Sequence, residues 1–219
     1  MTKQEVAKKI VEVGIVPVVR AASAKQAMHA TQAVRDGGIT VVEITMTVPG
    51  AVEVIAELVK TAGSEVLVGA GTVLDAETAK RCVDAGAEFL VSPGFDLETV
   101  KFAITKSKLM MAGALTPTEV IAAWKAGSDF VKIFPCGAVG GASYLKALKG
   151  PLPQVPLIPT GGVNLKSAAD LIKAGAAALG VGGELVSAAA LKSGNLHEIT
   201  EAARQFVNIV QQARAESDK

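Results

Sequence analysis

A lysine lies within an apolar, strand-like segment near the middle of the chain. The segment FVKIFP covers residues 130–135, and an extended chain would place Phe130, Lys132 and Phe134 on one face. Neither face of this segment is suited to water. Because a buried ammonium group costs several kcal/mol unless it is paired or gives up its proton, Lys132 needs either a partner or a chemical role.

A carboxylate lies in a second apolar segment, VVEIT at residues 41–45, in which Val41, Glu43 and Thr45 share a face that we expect to point inward. One interpretation of Glu43 and Lys132 is a structural ion pair, although buried pairs are weak evidence for stability. The other is amine catalysis. Removal from water favours the neutral amine, which attacks carbonyl carbons, and a nearby carboxyl group moves protons to and from the carbinolamine. The sequence favours this imine chemistry.

The composition indicates a globular enzyme-sized chain and excludes several classes of protein. Of 219 residues, 50% are hydrophobic and 4% aromatic, and the net charge of +1 leaves no basic surface for nucleic acid or an anionic membrane. No charge-free apolar run approaches the length that spans a bilayer. The two cysteines form no CxxC motif, and His29 and His197 fall in helical stretches. We therefore expect a cytoplasmic protein with no metal and no cofactor.

Short apolar runs alternate with helical patterns along the whole chain, which predicts a parallel sheet. The runs number eight, the count of a (β/α)₈ TIM barrel, and an open doubly wound sheet is the alternative. An amphipathic N-terminal segment with Val6, Ile10 and Val13 on one face predicts an extra helix before the first strand. The predicted strands cover residues 15–20, 40–46, 65–72, 89–93, 109–115, 130–135, 156–162 and 178–183.

An internal repeat supports the barrel. Glycines that follow similar helix ends recur at Gly37, Gly86, Gly127 and Gly175, with spacings of 49, 41 and 48 residues, about two βα units each. A glycine just past a helix supplies the left-handed cap that turns the chain into the next strand. No linker-like segment interrupts the series, so residues 1–219 are predicted to form a single domain, whose last segment, 211–219, is a frayed helical turn.

The active site of such a barrel lies at the carboxyl ends of the strands. Candidates at these ends are, in chain order, Arg20, Glu43, Thr47, Thr72, Pro93, Lys132 and Thr160. Interior layers take side chains from alternate strands, and the second and sixth strands lie opposite each other. Since an eight-stranded barrel is narrow, we expect Glu43 and Lys132 to approach each other directly or through one water.

Glycine pairs follow the seventh and eighth strands, in PTGGVN at residues 159–164 and GVGGEL at residues 180–185. In these barrels the loops after the last two strands are the usual phosphate site, because glycines let backbone N–H groups close on an anion. A structural role in turns is the alternative. We predict phosphate binding by Gly161, Gly162, Gly182 and Gly183.

The motifs together resemble the class I 2-keto-3-deoxy-6-phosphogluconate aldolases, which also act on 4-hydroxy-2-oxoglutarate. The resemblance spans residues 15–186 and rests on VVEITMTVP, VGAGTV, VSPG, ALTPTE, VKIFP and IPTGGVN in this order. It implies a (β/α)₈ barrel, a homotrimer, no metal, and retro-aldol cleavage of a phosphorylated 2-keto acid into pyruvate and D-glyceraldehyde 3-phosphate.

The same resemblance assigns roles to residues. Lys132 would form the Schiff base, Glu43 would be the general acid and base, and Phe134 would flank the imine. Thr72, Pro93 and Thr160 would bind the pyruvate carboxylate, and the four glycines would bind the phosphate.

Three positions depart from the common pattern of the family, and one of them is Ala112, which stands where a proline is usual. Thr47 stands where many members have an arginine that holds substrate oxygens, a role that either Arg20, as a substrate-binding residue, or a backbone contact is expected to take over. Gly183 stands where a serine is frequent, so the phosphate site lacks a hydroxyl. Three alternatives stay open at this point: cleavage of the galactonate epimer, an isomerase or epimerase that works without an imine, and a barrel that binds a phosphorylated metabolite without catalysis.

Overall fold

Strands and helices alternate along the chain in the computed structural model, which describes residues 1–217. The strands are β1 Ile15–Val19, β2 Val41–Thr45, β3 Leu67–Gly71, β4 Phe89–Val91, β5 Leu109–Ala114, β6 Phe130–Ile133, β7 Leu157–Pro159 and β8 Leu179–Val181. The helices are α1 Lys3–Val13, α2 Ala24–Asp36, α3 Ala51–Ala62, α4 Ala76–Asp84, α5 Leu97–Thr105, α6 Pro117–Lys125, α7 Ala142–Lys149, α8 Ala168–Lys173, α9 Ala188–Ser193 and α10 Leu196–Ser217. A short 3₁₀ helix, Gly137–Val139, follows β6.

The strands form one parallel sheet in the order β7-β6-β5-β4-β3-β2-β1-β8. Bridges from Leu157 to Ala176 and from Thr160 to Gly180 join the two ends of this sheet. The fold is therefore the predicted (β/α)₈ barrel, with α1 preceding the first strand. Each predicted strand is present, and all eight are shorter at one or both ends than the apolar run that predicted them.

Apolar side chains fill two separate regions. The larger cluster lies between the barrel and its outer helices and includes Val131 and Ile133. The smaller cluster fills the amino-terminal half of the barrel, where Val6 and Ile10 of α1 pack with Phe130 and other strand residues. Helix α1 thus closes the end of the barrel opposite to the predicted site. Lys132, which shares its strand face with Phe130, must therefore point into the barrel.

The repeated glycines end their helices almost as predicted. Gly86, Gly127 and Gly175 have φ angles of 99°, 96° and 96°, the left-handed conformation expected after a helix. Gly37 is the exception: its φ is −86°, and Gly38 adopts the left-handed conformation instead, at 96°. Gly37 lies so close to α10 that an added Cβ would come within 2.4 Å of the Cβ of Ala203. The close approach of this segment to α10 explains why residue 37 is a glycine.

The end of the chain extends the last helix rather than forming a separate turn. Helix α10 continues to Ser217, so the predicted frayed turn at 211–219 is helical as far as it is described. The last two residues lie outside the described part of the chain. Among the described helices, none is both long and apolar enough to span a membrane.

Candidate active site

Glu43 and Lys132 meet inside the barrel, as their positions on opposite strands predicted. The Nζ atom of Lys132 lies 4.0 Å from Oε1 of Glu43, and their side chains are 5% and 3% exposed. The gap is longer than a direct hydrogen bond, and Oε1 of Glu43 has no hydrogen-bond partner among residues 1–217. The two groups therefore face each other across a space that an oxygen atom of a bound molecule can occupy.

Glycines on neighbouring strands make room for the Glu43 carboxyl group and for the loop after β4. A Cβ added to Gly71 would lie 1.8 Å from Oε1 of Glu43, so only glycine permits the carboxyl group to lie where it does. Gly113 pairs directly with Lys132 across β5 and β6. A Cβ there would lie 2.2 Å from the carbonyl carbon of Pro93, so the loop after β4 packs closely over this strand.

The environment of Glu43 favours its neutral form. Burial raises the pKa of this carboxyl group, and the positive charges of Lys132 and Arg20 offset only part of that effect. A protonated carboxyl group is a proton donor, and after donation it becomes a base. Together with an adjacent amine, such a group can catalyse carbinolamine formation and dehydration.

A cavity of about 110 Å³ opens at the carboxyl end of the barrel. It brings together Arg20, Phe134, Thr160 and the predicted phosphate glycines, and it is lined by Val18, Arg20, Phe134, Thr160, Gly161, Gly162, Val163, Gly182, Gly183 and Glu184. The Phe134 ring connects this cavity to the buried pair, because its centroid lies 5.4 Å from Nζ of Lys132. The geometry thus joins an amine to a glycine-lined pocket large enough for a small anionic group.

The loops around the cavity take the conformations that glycine permits. Gly161 and Gly162 have φ angles of 83° and 78°. Gly180 leaves space for Thr160, whose Oγ1 would lie 2.1 Å from an added Cβ. No helix begins at the glycine pair after β8: the N–H groups of Leu185 and Val186 donate to the carbonyl of Gly182, and α9 begins later. A turn, and not a helix, therefore lies beside this glycine pair.

Three of the predicted substrate residues lie outside this cavity. Thr72 follows β3 with a φ of 58°, a strained conformation for a β-branched residue and one that is frequent at functional sites. Pro93 lies next to Gly113, one strand away from Lys132. The hydroxyl of Thr47 lies 2.6 Å from that of Thr45. Since Thr45 donates its proton to the carbonyl of Val19, Thr47 is the donor to Thr45.

The sequence analysis missed Gly71, Gly180 and Glu184. The two glycines could have been noticed, because they interrupt apolar strands at positions whose side chains would point into the barrel. Glu184 directly follows the second glycine pair, but only the turn after β8 brings it to the cavity.

The thiol of Cys136 is buried directly after the Phe134–Pro135 segment that follows β6. Burial raises the pKa of its thiol to about 11, so the thiolate that would act as a nucleophile is scarce. A further cavity of about 450 Å³ lies on the other side of the Gly161–Gly162 turn and includes Cys136 in its lining. Within residues 1–217, no group of three or more histidine, cysteine, aspartate or glutamate side chains is placed to hold a metal ion.

Comparisons with known proteins agree with this geometry. The profile of the family described as KDPG and KHG aldolase, where KDPG abbreviates 2-keto-3-deoxy-6-phosphogluconate, matches residues 6–202. The chain is 34% identical over 199 residues to the 2-dehydro-3-deoxy-phosphogluconate aldolase of Treponema pallidum, covering 90% of this chain and 94% of that protein. It is 33% identical to the 2-dehydro-3-deoxy-6-phosphogalactonate aldolase of Escherichia coli K12, covering 80% of this chain and 85% of that protein.

The fold is also similar to that of a solved aldolase structure. The KDPG aldolase of Legionella pneumophila, with pyruvate captured as a covalent carbinolamine intermediate, superimposes with a TM-score of 0.85. The two chains are 31% identical, and the match covers 91% of this chain and 97% of that one. The family profile spans nearly all of the barrel, including both buried charged residues. The chain therefore belongs to the KDPG and KHG aldolase family.

Proposed function

We propose that the protein is a class I aldolase that cleaves 2-keto-3-deoxy-6-phosphogluconate to pyruvate and D-glyceraldehyde 3-phosphate. One observation carries the proposal: a buried lysine faces a buried carboxyl group at 4.0 Å, and the Phe134 ring beside this lysine lines a glycine-rich cavity. An isomerase or epimerase needs a base but no buried amine, and a barrel that only binds its ligand needs neither group.

The first half of the reaction forms the imine. The neutral amine of Lys132 attacks the C2 ketone, and the resulting carbinolamine carries the former ketone oxygen as a hydroxyl group. Glu43, whose raised pKa favours the protonated form, donates a proton to that hydroxyl. Water then leaves, and the lysine nitrogen is left as a protonated imine, which can accept an electron pair.

The second half breaks the carbon–carbon bond. Glu43, now ionised, removes the proton of the C4 hydroxyl, the C3–C4 bond breaks, and its electron pair moves to the imine nitrogen to give an enamine. The aldehyde departs. Protonation of the enamine at C3 and hydrolysis of the imine release pyruvate and return the amine of Lys132.

The other candidate residues bind the substrate in this proposal. Thr72, Pro93 and Thr160 hold the pyruvate carboxylate, Phe134 flanks the imine, and Thr47 contacts substrate oxygens. Support for the phosphate site comes from the cavity, where Arg20 is the cationic side chain beside the backbone of Gly161, Gly162, Gly182 and Gly183. These backbone groups and a guanidinium suit a phosphate group.

The galactonate epimer is the second candidate substrate. The chain is 33% identical to the phosphogalactonate aldolase of E. coli and 34% identical to the phosphogluconate enzyme of T. pallidum, and this near equality supports the galactonate epimer as a candidate. The two substrates differ in configuration at C4, next to the bond that breaks. Steady-state kcat/KM values for the two C4 epimers, and for 4-hydroxy-2-oxoglutarate, will rank the candidates.

The imine can be tested by chemical trapping. Borohydride added with pyruvate is expected to attach a pyruvate-derived group to the peptide that contains Lys132. Lys132→Arg should abolish both the adduct and turnover, because a guanidinium stays protonated and cannot attack a ketone. Lys146→Arg, at an exposed lysine of α7, is the matched control and should retain both. An adduct on another lysine, or turnover by Lys132→Arg, would contradict the proposal.

The proposal includes a homotrimer in the cytoplasm. Leu74 follows β3 and is 60% exposed, and Phe95 and Leu97, which follow the neighbouring β4, are 36% and 42% exposed. Large apolar side chains on adjacent loops suit a contact between subunits. Both cysteines are buried and unpaired, which suits a reducing compartment. Light scattering should give three times the mass of the chain, and a monomeric mass would refute the trimer.

A further inference from the structure

The cavity above the buried pair contains two opposite charges that are not paired with each other. Arg20 and Glu184 both line it and both are exposed. Neither side chain takes part in a hydrogen bond or ion pair with another of residues 1–217. Both charges are therefore available to a bound molecule, and the side chains lining the cavity contribute no net charge.

We propose that Glu184 is a specificity-determining residue that lowers the preference of the cavity for a phosphorylated substrate and lets it accept the unphosphorylated 2-keto-3-deoxy sugar acid. The inference rests on the proposed aldolase function and concerns the end of the substrate away from the imine. A phosphate group carries nearly two negative charges at neutral pH, whereas the same end without phosphate is a hydroxyl group, which donates a hydrogen bond to a carboxylate.

The neighbouring residues strengthen the effect of this carboxylate. Gly183, directly before it, has no side chain to donate a hydrogen bond to phosphate, and the turn after β8 supplies no helix N-terminus beside the glycine pair. The groups of the cavity that can donate to phosphate are therefore Arg20, the hydroxyl of Thr160 and backbone N–H groups. Because the donors are so few, repulsion by one carboxylate in the same small cavity lowers the affinity for phosphate relative to that for a hydroxyl group.

The size of the effect follows from the exposure of the cavity. For an assumed separation of about 7 Å in water-like surroundings, the repulsion between two negative charges on phosphate and one on Glu184 changes affinity about three- to tenfold. Glu184→Gln keeps the size of the side chain and one oxygen that accepts hydrogen bonds, but it removes the charge. It should raise the ratio of kcat/KM for the phosphorylated substrate to that for the unphosphorylated substrate by this factor.

Salt separates an electrostatic role from a structural one. Repulsion across an exposed cavity is screened at about 1 M salt, where the Debye length is roughly 3 Å. The difference between the wild type and Glu184→Gln should therefore be largest at low salt and should nearly vanish at high salt. Glu57→Gln, at an exposed carboxylate on the outer helix α3, is the matched control and should leave the ratio unchanged at both salt concentrations.

The experiment measures kcat/KM for 2-keto-3-deoxy-6-phosphogluconate and for 2-keto-3-deoxygluconate with all three proteins. A ratio that is unchanged or falls in Glu184→Gln, or a change that salt does not reduce, would overturn the role of Glu184. Failure of the aldolase function has a different signature: neither substrate is cleaved, and pyruvate with borohydride leaves no adduct on Lys132. Equal melting temperatures of the variants show that the comparison is between folded proteins.

Discussion

Gly71→Ala tests whether the position of the Glu43 carboxyl group sets the rate. The added methyl group would lie 1.8 Å from Oε1 and 2.4 Å from the carboxyl carbon of Glu43. Ordinary van der Waals contact begins at 3.4 Å, so the carboxyl oxygen must withdraw by roughly 1.6 Å. Gly71 has no positive φ, so the alanine introduces no backbone strain, and its effect comes from the displaced carboxyl group.

A displacement of this size is expected to lower kcat by about 100-fold, the effect of misplacing a catalytic group by roughly 1 Å. Two steps depend on Glu43 in the proposed reaction, and both need its carboxyl group within hydrogen-bond reach of the substrate. Single-turnover trapping of pyruvate with borohydride should show slower labelling of Lys132, because dehydration of the carbinolamine is one of these steps. Steady-state cleavage of the phosphorylated substrate measures the other.

A double-mutant cycle separates this effect from general damage. In a Glu43→Ala background the carboxyl group is gone, so Gly71→Ala should have little further effect on the residual rate. Gly150→Ala is the matched control, since an added Cβ there meets its nearest atom at 3.5 Å and φ is −52°. A kcat within threefold of wild type for Gly71→Ala, or equal losses in both backgrounds, would refute the reasoning.

Three further predictions concern charge, phosphate and stability. Because the pKa of Glu43 is raised in the folded protein, only the unfolded chain releases this proton between the ordinary carboxylate pKa of 4.5 and the raised pKa. Wild-type stability should therefore fall as pH rises through this range. Thermal unfolding of Glu43→Gln should lack this decline. A Cβ added to Gly183 meets no atom within 4 Å, so the Gly183→Ser variant should fold normally. Its hydroxyl should lower KM for the phosphorylated substrate by about three- to tenfold and leave KM for the unphosphorylated substrate unchanged. Ile10→Ala, in the helix that closes the far end of the barrel, should cost about 2–5 kcal/mol in denaturant unfolding, with kcat unchanged.

The sequence predicted the barrel because two local signals agree along the whole chain. Apolar runs mark the strands, and glycines mark three of the four helix ends that the repeat identified. Strand ends were harder to predict, as the seventh strand illustrates. Its apolar run suggested residues 156–162, but β7 ends at Pro159 because Gly161 and Gly162 turn the chain away with positive φ angles.

The pairing of Glu43 with Lys132 was predictable because it depends only on strand order and on the alternation of faces. The space around the pair could not be predicted, because it depends on the register between neighbouring strands. Gly71 lies beside Thr45 in the pairing of β2 and β3, and this register brings the glycine against the Glu43 carboxyl group. In the same way, the hydrogen bond from Thr47 to Thr45 and the position of Glu184 depend on turns that no periodic pattern encodes.

The geometry also favours catalysis over a structural ion pair at Glu43 and Lys132. A buried pair that stabilises a fold needs close contact and further hydrogen bonds that satisfy the remaining oxygen atoms. Here the two groups are 4.0 Å apart, and Oε1 of Glu43 lacks a hydrogen-bond partner in the described chain. The arrangement therefore costs stability, which is why we expect apolar replacement of both residues to abolish turnover but to raise the melting temperature. A substrate hydroxyl or a carbinolamine can supply a hydrogen-bond partner to this carboxyl oxygen beside the amine, so the unfavourable burial becomes useful at the moment of reaction.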